Sequence, residues 1–423
     1  MEFKKFKLEE IGEVIGGGTP STKKSEYYGG NIPWITPKDL SNFKEVFISE
    51  GERNITEEGL KNSSARTLPS NTVLMTSRAP IGYLAIAKNE VTTNQGFKSI
   101  ICNESLVKPL FLYYSLKNDM DKIKSLGTGS TFSEISGKVV KNIEINLPSI
   151  EYQTIIEYIL GNFDKKIELN QKIIANLEEL SKTLFKRWFV DFEFPDENGN
   201  PYKSSGGEMV DSELGKIPKG WECVYLKDIV HHKKDTFNPK KSNESEVKHF
   251  SLPAFDSGQY PTIDNVTDIK SNKWIIDENC ILFSKMNPTT RRIWVTSYNE
   301  NFLNVASSEF VVLKSDNSYR NAFIYNICIS DKFNEYLVSN TTGSTNSRQR
   351  VKPDIAVQYR FAYNEEVSYL LSEKIEPYIE KIKIIREQNQ NLTQIRDTLL
   401  PKLMSGEIEI PDDIEVNEDE LSI

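Results

Sequence analysis

The stretch Gly16-Gly17-Gly18-Thr19-Pro20-Ser21-Thr22-Lys23-Lys24 gathers small, hydroxyl-bearing and basic residues, the types that hold phosphate. A nucleotide-binding loop of the GxxxxGK[ST] kind needs glycine immediately before the Lys-Ser/Thr pair, so that backbone amides wrap the phosphates. Here Thr22 precedes Lys23 and Lys24 follows it, and that geometry is not available. No GxGxxG opens a helix after a strand, and no GxSxG or HExxH occurs. Asn287-Pro288 is followed by Thr289, not by the proline and aromatic residue of an amino-methyltransferase site. His231, His232 and His249 leave acid–base chemistry few candidates and lack metal-ligand spacing. Cys102, Cys223, Cys280 and Cys328 form no CxxC pair and read as reduced thiols. No catalytic residue, metal site or resident cofactor is expected.

The chemistry that remains is hydrogen bonding from loops. The first part of the chain offers Thr19, Ser21, Lys23, Lys24, Lys38, Arg78, Asn94, Gln95 and Lys98. The later part offers Lys285, Asn287, Arg291, Arg292, Asn346, Arg348, Gln349 and Arg350. Arg, Lys, Asn and Gln carry donors that match guanine and adenine edges in the major groove, while Ser and Thr suit phosphates. Taken singly, each is an ordinary solvated loop residue; as two sets they point to a two-site DNA reader. The net charge of −9 does not oppose this, because the deficit is local. Residues 1–150 and 211–352 each hold 19 basic and 17 acidic residues, whereas the last 23 carry −7. Only the field at a binding face matters.

The elements that would position these loops are duplicated. Asn71–Pro80 resembles Asn279–Pro288 at an offset of 208, and Gln95-Gly96-Phe97 resembles Ser308-Glu309-Phe310 at 213. The tetrapeptide TGST occurs at Thr128–Thr131 and Thr342–Thr345, an offset of 214, and NLEELSKTL (176–184) matches NLTQIRDTL (391–399) at 215. Ordered matches with a slowly drifting offset indicate two copies of one half. Each copy has short strand-like runs bounded by Gly, Pro, Asn and Ser, mixed with helical stretches, as in an α+β domain. Thr131-Phe-Ser-Glu134 fits a capping box, so the first TGST loop is expected to start a helix, with Arg348 standing at the acid's place in the second.

A long helical pattern follows each copy. Ile156, Leu160, Phe163, Ile167, Ile174, Leu177 and Leu184 keep a 4-3 spacing, with Asn170 and Ser181 as polar interruptions; the same register recurs 215 residues on through Ile382, Ile385, Asn389 and Leu392. Gly161-Asn162 and Glu376-Pro377 are expected to weaken or kink the two helices. Beyond the breaks about 24 residues remain in each arm, roughly 36 Å. A duplicated unit pairing with itself makes the helices antiparallel, so facing residues share an index sum. Setting Asn170 against Asn389, a sum of 559, also sets Ile174 against Ile385. The expected pairing residues are Ile167, Asn170, Ile174, Leu177, Ile382, Ile385, Asn389 and Leu392.

At 423 residues the chain exceeds a single core. No apolar run reaches a membrane span and the charged N-terminus lacks a signal peptide's core, so a cytoplasmic location is expected.

These residues resemble the specificity subunit of type I restriction–modification systems. The resemblance covers nearly the whole chain through GGGTPSTKKSEYYGGNIPWITPKDL (16–40), INLPSIEYQ (145–153), LFKRWFVDFEFP (184–195), GEMVDSELGKIPKGWE (207–222) and RDTLLPKLMSGEI (396–408). It implies two α+β target-recognition domains, at 1–150 and 215–360, joined by antiparallel coiled-coil helices at 151–190 and 366–406 with a pseudo-twofold repeat. A linker at 191–214 and an acidic tail at 407–423 complete this reading. Each domain would read half of a split target in double-stranded DNA, and the helices would dock two methyltransferase subunits. S-adenosylmethionine, ATP and magnesium would belong to those and the restriction/translocase subunits. The second domain departs from the family's opening, with HHKKDTFNPKKSN (231–243) in place of a GGTPST-like stretch. Two other readings stand beside this one. The chain could serve a related system whose restriction and methylation activities share one polypeptide, or be a coiled-coil scaffold binding protein or carbohydrate.

Overall fold

A computed structural model describes residues 2–78, 80–128, 133–232, 235–278, 280–315, 318–343 and 349–410. The chain divides into two compact units, Met1–Leu169 with Leu392–Ile423, and Asn170–Asn391.

In the first unit, Lys4–Lys7 pairs antiparallel with Glu144–Leu147, bringing the ends of the globular part together. A five-stranded sheet runs in the order Gly12–Gly16, Lys98–Cys102, Val73–Ser77, Ile81–Ala87, Phe47–Ile48. Its middle strand, Val-Leu-Met-Thr-Ser, is buried at every position, as expected of a strand covered on both faces. A three-stranded sheet orders Arg53–Ile55, Tyr28–Ile35 and Thr92–Thr93, the last two parallel. The helix Pro109–Asn118 opens on proline at its first position, where a missing N–H costs nothing. Its Phe111, Leu112 and Tyr114 enter a core with Met75, Ile100, Ile156, Leu160, Leu400 and Leu403.

The second unit repeats this plan. Glu222–Tyr225 pairs with Arg360–Tyr363. A four-stranded sheet orders His231–His232, Phe310–Lys314, Ile281–Ser284 and Ile293–Val295, the order of the first four strands of the earlier sheet. The parallel pair recurs as Glu246–Phe250 with Leu303–Ser307, in a sheet that gains Lys273–Ile275 and Thr236–Phe237 on one side. Both units are therefore α+β.

Two long helices, Ile150–Phe189 and Glu365–Ser405, contribute to both units. The expected breaks do not interrupt them. Gly161 is buried, and a Cβ there would lie 3.3 Å from Leu110 Cδ2, so glycine serves the close approach of a neighbouring helix. Pro377 is exposed, and water can satisfy the carbonyl its missing N–H leaves open.

The segment 191–214 is not a linker. Phe192 and Phe194 pack on Trp221 with centroids 5.5 and 5.1 Å apart, and Phe194 stacks on Tyr202 at 4.7 Å. Met209–Ser212 forms a hairpin with Gly215–Pro218. A few aromatic side chains without periodic spacing build this core, which is why a polar composition concealed it. Residues 407–410 also fold: the Tyr152 hydroxyl donates to Ile408 O (3.3 Å), and Ile410 N–H donates to that hydroxyl (3.0 Å). Residues 411–423 lie outside the described residues. Among the described residues, no helix is long and apolar enough to cross a membrane.

Candidate nucleic-acid interface

In the first unit three backbone segments cross at the end of the buried strand. Ser77 N–H donates to Gly96 O (2.7 Å), Ile135 N–H donates to Ser77 O (2.9 Å), and Thr128 and Glu134 exchange two bonds (3.1 and 3.0 Å). The second unit repeats the crossing bond for bond. Lys285 N–H donates to Glu309 O (3.0 Å), Val351 N–H to Lys285 O (3.0 Å), and Thr342 and Arg350 exchange two bonds (both 2.9 Å). The first residue of each TGST tetrapeptide, Thr128 and Thr342, is therefore held at the equivalent point of the scaffold.

This crossing corrects two expectations. Glu134 sits in a bridge with Thr128 and Arg78, while the helix Gly137–Lys141 is capped by Ser136, whose Oγ accepts from Val139 N–H at 3.3 Å. Glu134 is thus no capping acid; its partner Thr131 lies outside the described residues. The residue equivalent to Glu134 is Arg350, not Arg348, because the second loop is two residues longer between its bridging ends. Arg348 and Asn346 lie outside the described residues.

The glycines at 16–18 have a packing reason. A Cβ on Gly17 would lie 1.9 Å from Asn94 O and one on Gly18 2.1 Å from Ala65 N. Gly18 N–H donates to Thr93 O (2.8 Å) and Trp34 Nε1 donates to Gly18 O (3.0 Å). The run lies flat against the 93–97 turn, and the Thr19 hydroxyl donates to Gln95 Oε1. Asn94 Oδ1 is committed to Gly96 N–H (2.8 Å). Ser21, Lys23 and Lys24 are exposed, with Lys24 Nζ 2.9 Å from the Tyr27 hydroxyl. Lys38 is exposed and paired with Glu52, on a turn whose Pro37 would meet a Cβ on Gly96 at 3.0 Å. Arg78 Nη1 stands 3.6 Å from Glu134 Oε2. Half-buried Lys98 has its pKa lowered by desolvation, an effect Glu134 opposes and Arg78 reinforces. Thr19, Arg78, Asn94, Gln95 and Lys98 thus gather around one crossing.

The second set divides. Lys285, Asn287, Gln349 and Arg350 cluster at the crossing, where Asn287 N–H donates to Gln349 O (2.9 Å). Arg350 Nε donates to Glu309 Oε2 (3.1 Å) and its Nη2 to Oε1 (3.4 Å). Arg291 and Arg292 point elsewhere. Arg292 forks onto Asp256 at 2.7 and 3.0 Å with only 14% of its side chain exposed. Arg291 meets Asp331 at 2.7 Å. Glu134 and Glu309 are the acids at the two crossings. Glu309 falls inside the match at offset 213, which was a usable signal.

Of the expected helix-pairing residues, Ile167, Asn170, Ile382, Ile385 and Asn389 are buried, and Ile174, Leu177 and Leu392 half-buried. Asn170 Nδ2 donates to Asn389 Oδ1 at 2.8 Å in the second unit, the contact that a sum of 559 requires. Ser181 Oγ donates to Asn326 Oδ1 (2.7 Å), so both polar interruptions of the seam have buried partners.

Residues 1–179 match the family described as type I restriction modification DNA specificity domain. The chain is 37% identical over 416 residues to the MjaIX type I restriction enzyme specificity subunit of Methanocaldococcus jannaschii, covering 96% of this chain and 93% of that one. It belongs to the type I restriction enzyme specificity subunits. A second relative, the EcoR124I/EcoR124II specificity subunit of Escherichia coli, is 32% identical over 182 residues, 39% of this chain and 44% of that one. The S subunit of a type I system from M. genitalium shares the fold, with a TM-score of 0.57, 14% identity, and coverage of 98% and 97%. Specificity subunits are the non-catalytic, DNA-recognising members of their restriction–modification systems.

Proposed function

We propose that this specificity subunit reads a bipartite DNA target, one half-site at each backbone crossing, and positions methyltransferase and restriction subunits on it. The duplicated crossing carries the reading: two α+β units each present arginine, lysine and amide side chains from loops pinned to the end of a buried strand. Side chains held by a rigid scaffold lose little entropy on binding, and their donors suit base edges and phosphates. At the first crossing the contact set is Thr19, Arg78, Asn94, Gln95 and Lys98, with Ser21, Lys23, Lys24 and Lys38 toward phosphate. At the second it is Lys285, Asn287, Gln349 and Arg350. The long helices pair through Asn170–Asn389 and dock two methyltransferase subunits. S-adenosylmethionine, ATP and magnesium act on the partner subunits, in the cytoplasm.

The test is co-expression with the cognate methyltransferase and genome-wide mapping of methylated adenines. A motif of two short half-sites separated by unspecified bases is the expected result; one continuous motif would exclude the two-site reading. Inserting about four residues, roughly one helical turn, after both Asn170 and Ile385 is expected to change the spacer and leave both half-sites intact.

A further inference from the structure

An arginine lies against a glutamate at both crossings, yet the pairs are built from different positions. In the first unit the arginine is residue 78, at the end of the strand, and the acid is Glu134 on the returning loop. In the second unit the returning loop supplies the base, Arg350, and the acid is Glu309, where the first unit has Gly96. The counterpart of Arg78 is the uncharged Met286, whose sulfur lies 3.6 Å from Arg350 Nη2. Duplication explains the shared backbone. It does not explain why each crossing carries an ion pair built from different positions.

Neither pair is needed to hold the crossing, which backbone bonds already close. The side chains are 36% and 43% exposed in the first pair and 41% and 28% in the second, so water screens both and either can exchange. Glu309 engages Arg350 through two nitrogens. A carboxylate offers a guanidinium fork two acceptors, as do O6 and N7 of guanine. A neutral base edge can take the carboxylate's place beside the arginine, whereas a phosphate arrives against a negative charge.

We propose that Glu134 and Glu309 are specificity-determining positioning residues. Each holds the adjacent arginine in its base-reading orientation and disfavours phosphate, so that the arginine is released to a guanine edge and not to the backbone of any DNA. Selectivity by repulsion of the wrong partner is a general device. This rests on the two-site reading above.

The experiment uses the full-length chain assembled with its methyltransferase partner. Wild type, E134Q, E309Q, E134D and E309D are titrated with the cognate duplex, with duplexes altered in one half-site, and with unrelated duplex. Each titration is run at several salt concentrations and paired with thermal melting. E309Q is expected to bind unrelated DNA about two- to fivefold more tightly, the scale of an exposed ion pair. It should also tolerate changes in the second half-site only; E134Q should do the same for the first. The aspartate variants should keep most discrimination, and melting should not move. Unchanged ratios in both glutamine variants, with the wild-type bipartite footprint intact, would overturn this role and leave the two-site reading standing. A lost preference for cytosine at one position, with unrelated DNA bound as before, would also overturn it, because the carboxylate would then read a base itself. A wild-type complex without two protected segments would remove the underlying reading.

Discussion

Each unit ties its globular part to the long helices through a tyrosine, an acid and an arginine. In the first, Tyr114 donates to Asp164 Oδ2 at 2.6 Å and Arg396 bonds Asp164 Oδ1. In the second, Tyr325 donates to Glu178 Oε1 at 3.1 Å, which also accepts from Arg386 Nη2 at 2.7 Å. The parts match but their surroundings do not: the Asp164 side chain is 8% exposed and that of Glu178 33%. Nor are the two sets images of each other. Adding 215 to Asp164 gives Ile379, so the second set arose from other positions, as did the ion pairs at the crossings. In this chain the two units share the backbone pairing of the crossing but build their charged contacts from different positions.

The largest test of that contrast is loss of the arginine. R396M strands Asp164 in a buried site and is expected to cost about 3–5 kcal/mol. R386M leaves a carboxylate that water can reach and should cost about 1–3 kcal/mol. Denaturant titration with a probe in each unit measures both; equal losses would break the burial argument.

Next is pH. Glu157 accepts from Phe111 N–H at 2.9 Å, and burial pushes its carboxyl up to about 7 from 4.5. A folded-state value above the unfolded one means the folded chain holds the extra proton. Its stabilising contribution is full below pH 4.5, declines as pH rises toward 7, and is absent above. The loss is about 3 kcal/mol across that window. E157Q should remove this slope, and melting of the first unit from pH 4 to 8 follows it. The equivalent position in the second unit is Ser372, which does not titrate. The raised carboxyl of that unit is Glu376, pushed up by burial and by Glu380, so E157Q should leave the second unit's pH dependence unchanged.

A smaller effect is predicted at the asparagine pair. N170L leaves the Asn389 amide buried without its partner, at about 1–3 kcal/mol. N170L with N389L should recover most of that, because two apolar groups need no hydrogen bond. A double variant no better than the single would show that the pair's value lies in register.

The smallest concerns Arg292, a sequence-based reader whose fork is occupied by Asp256. R292A is expected to leave base preference in the second half-site unchanged, whereas R350A should alter it, by about 1–3 kcal/mol if it touches a base edge. Methylome mapping of both variants separates the two.

Much of the plan was legible in the sequence because it depends on spacing. The offsets at 208, 213, 214 and 215 mark a duplicated backbone, and the duplicated crossing is its structural form. The heptad-like register supplied the trial pairing of Asn170 with Asn389, and the structure supplies the contact itself, because periodicity and antiparallel geometry fix the facing stripe but not the index sum. Local signals did worse where tertiary contacts compete. Glu134, read as a capping acid, is held in a backbone bridge instead. Gly161 and Pro377 broke nothing, since one serves a close approach and the other faces water. The expected linker 191–214 holds Phe192 and Phe194, which form a core with Trp221 beyond it.

The sequence by itself determined the family, the two-fold repetition and the two long helices. These follow from periodicity and from residue order, which a linear chain carries explicitly. Only the tertiary structure decided that Arg78 and Arg350 stand at the crossings beside Glu134 and Glu309, and that Asp256 and Asp331 draw Arg292 and Arg291 elsewhere. Charge pairing depends on distance and burial between residues tens of positions apart, and neither quantity is written along the chain.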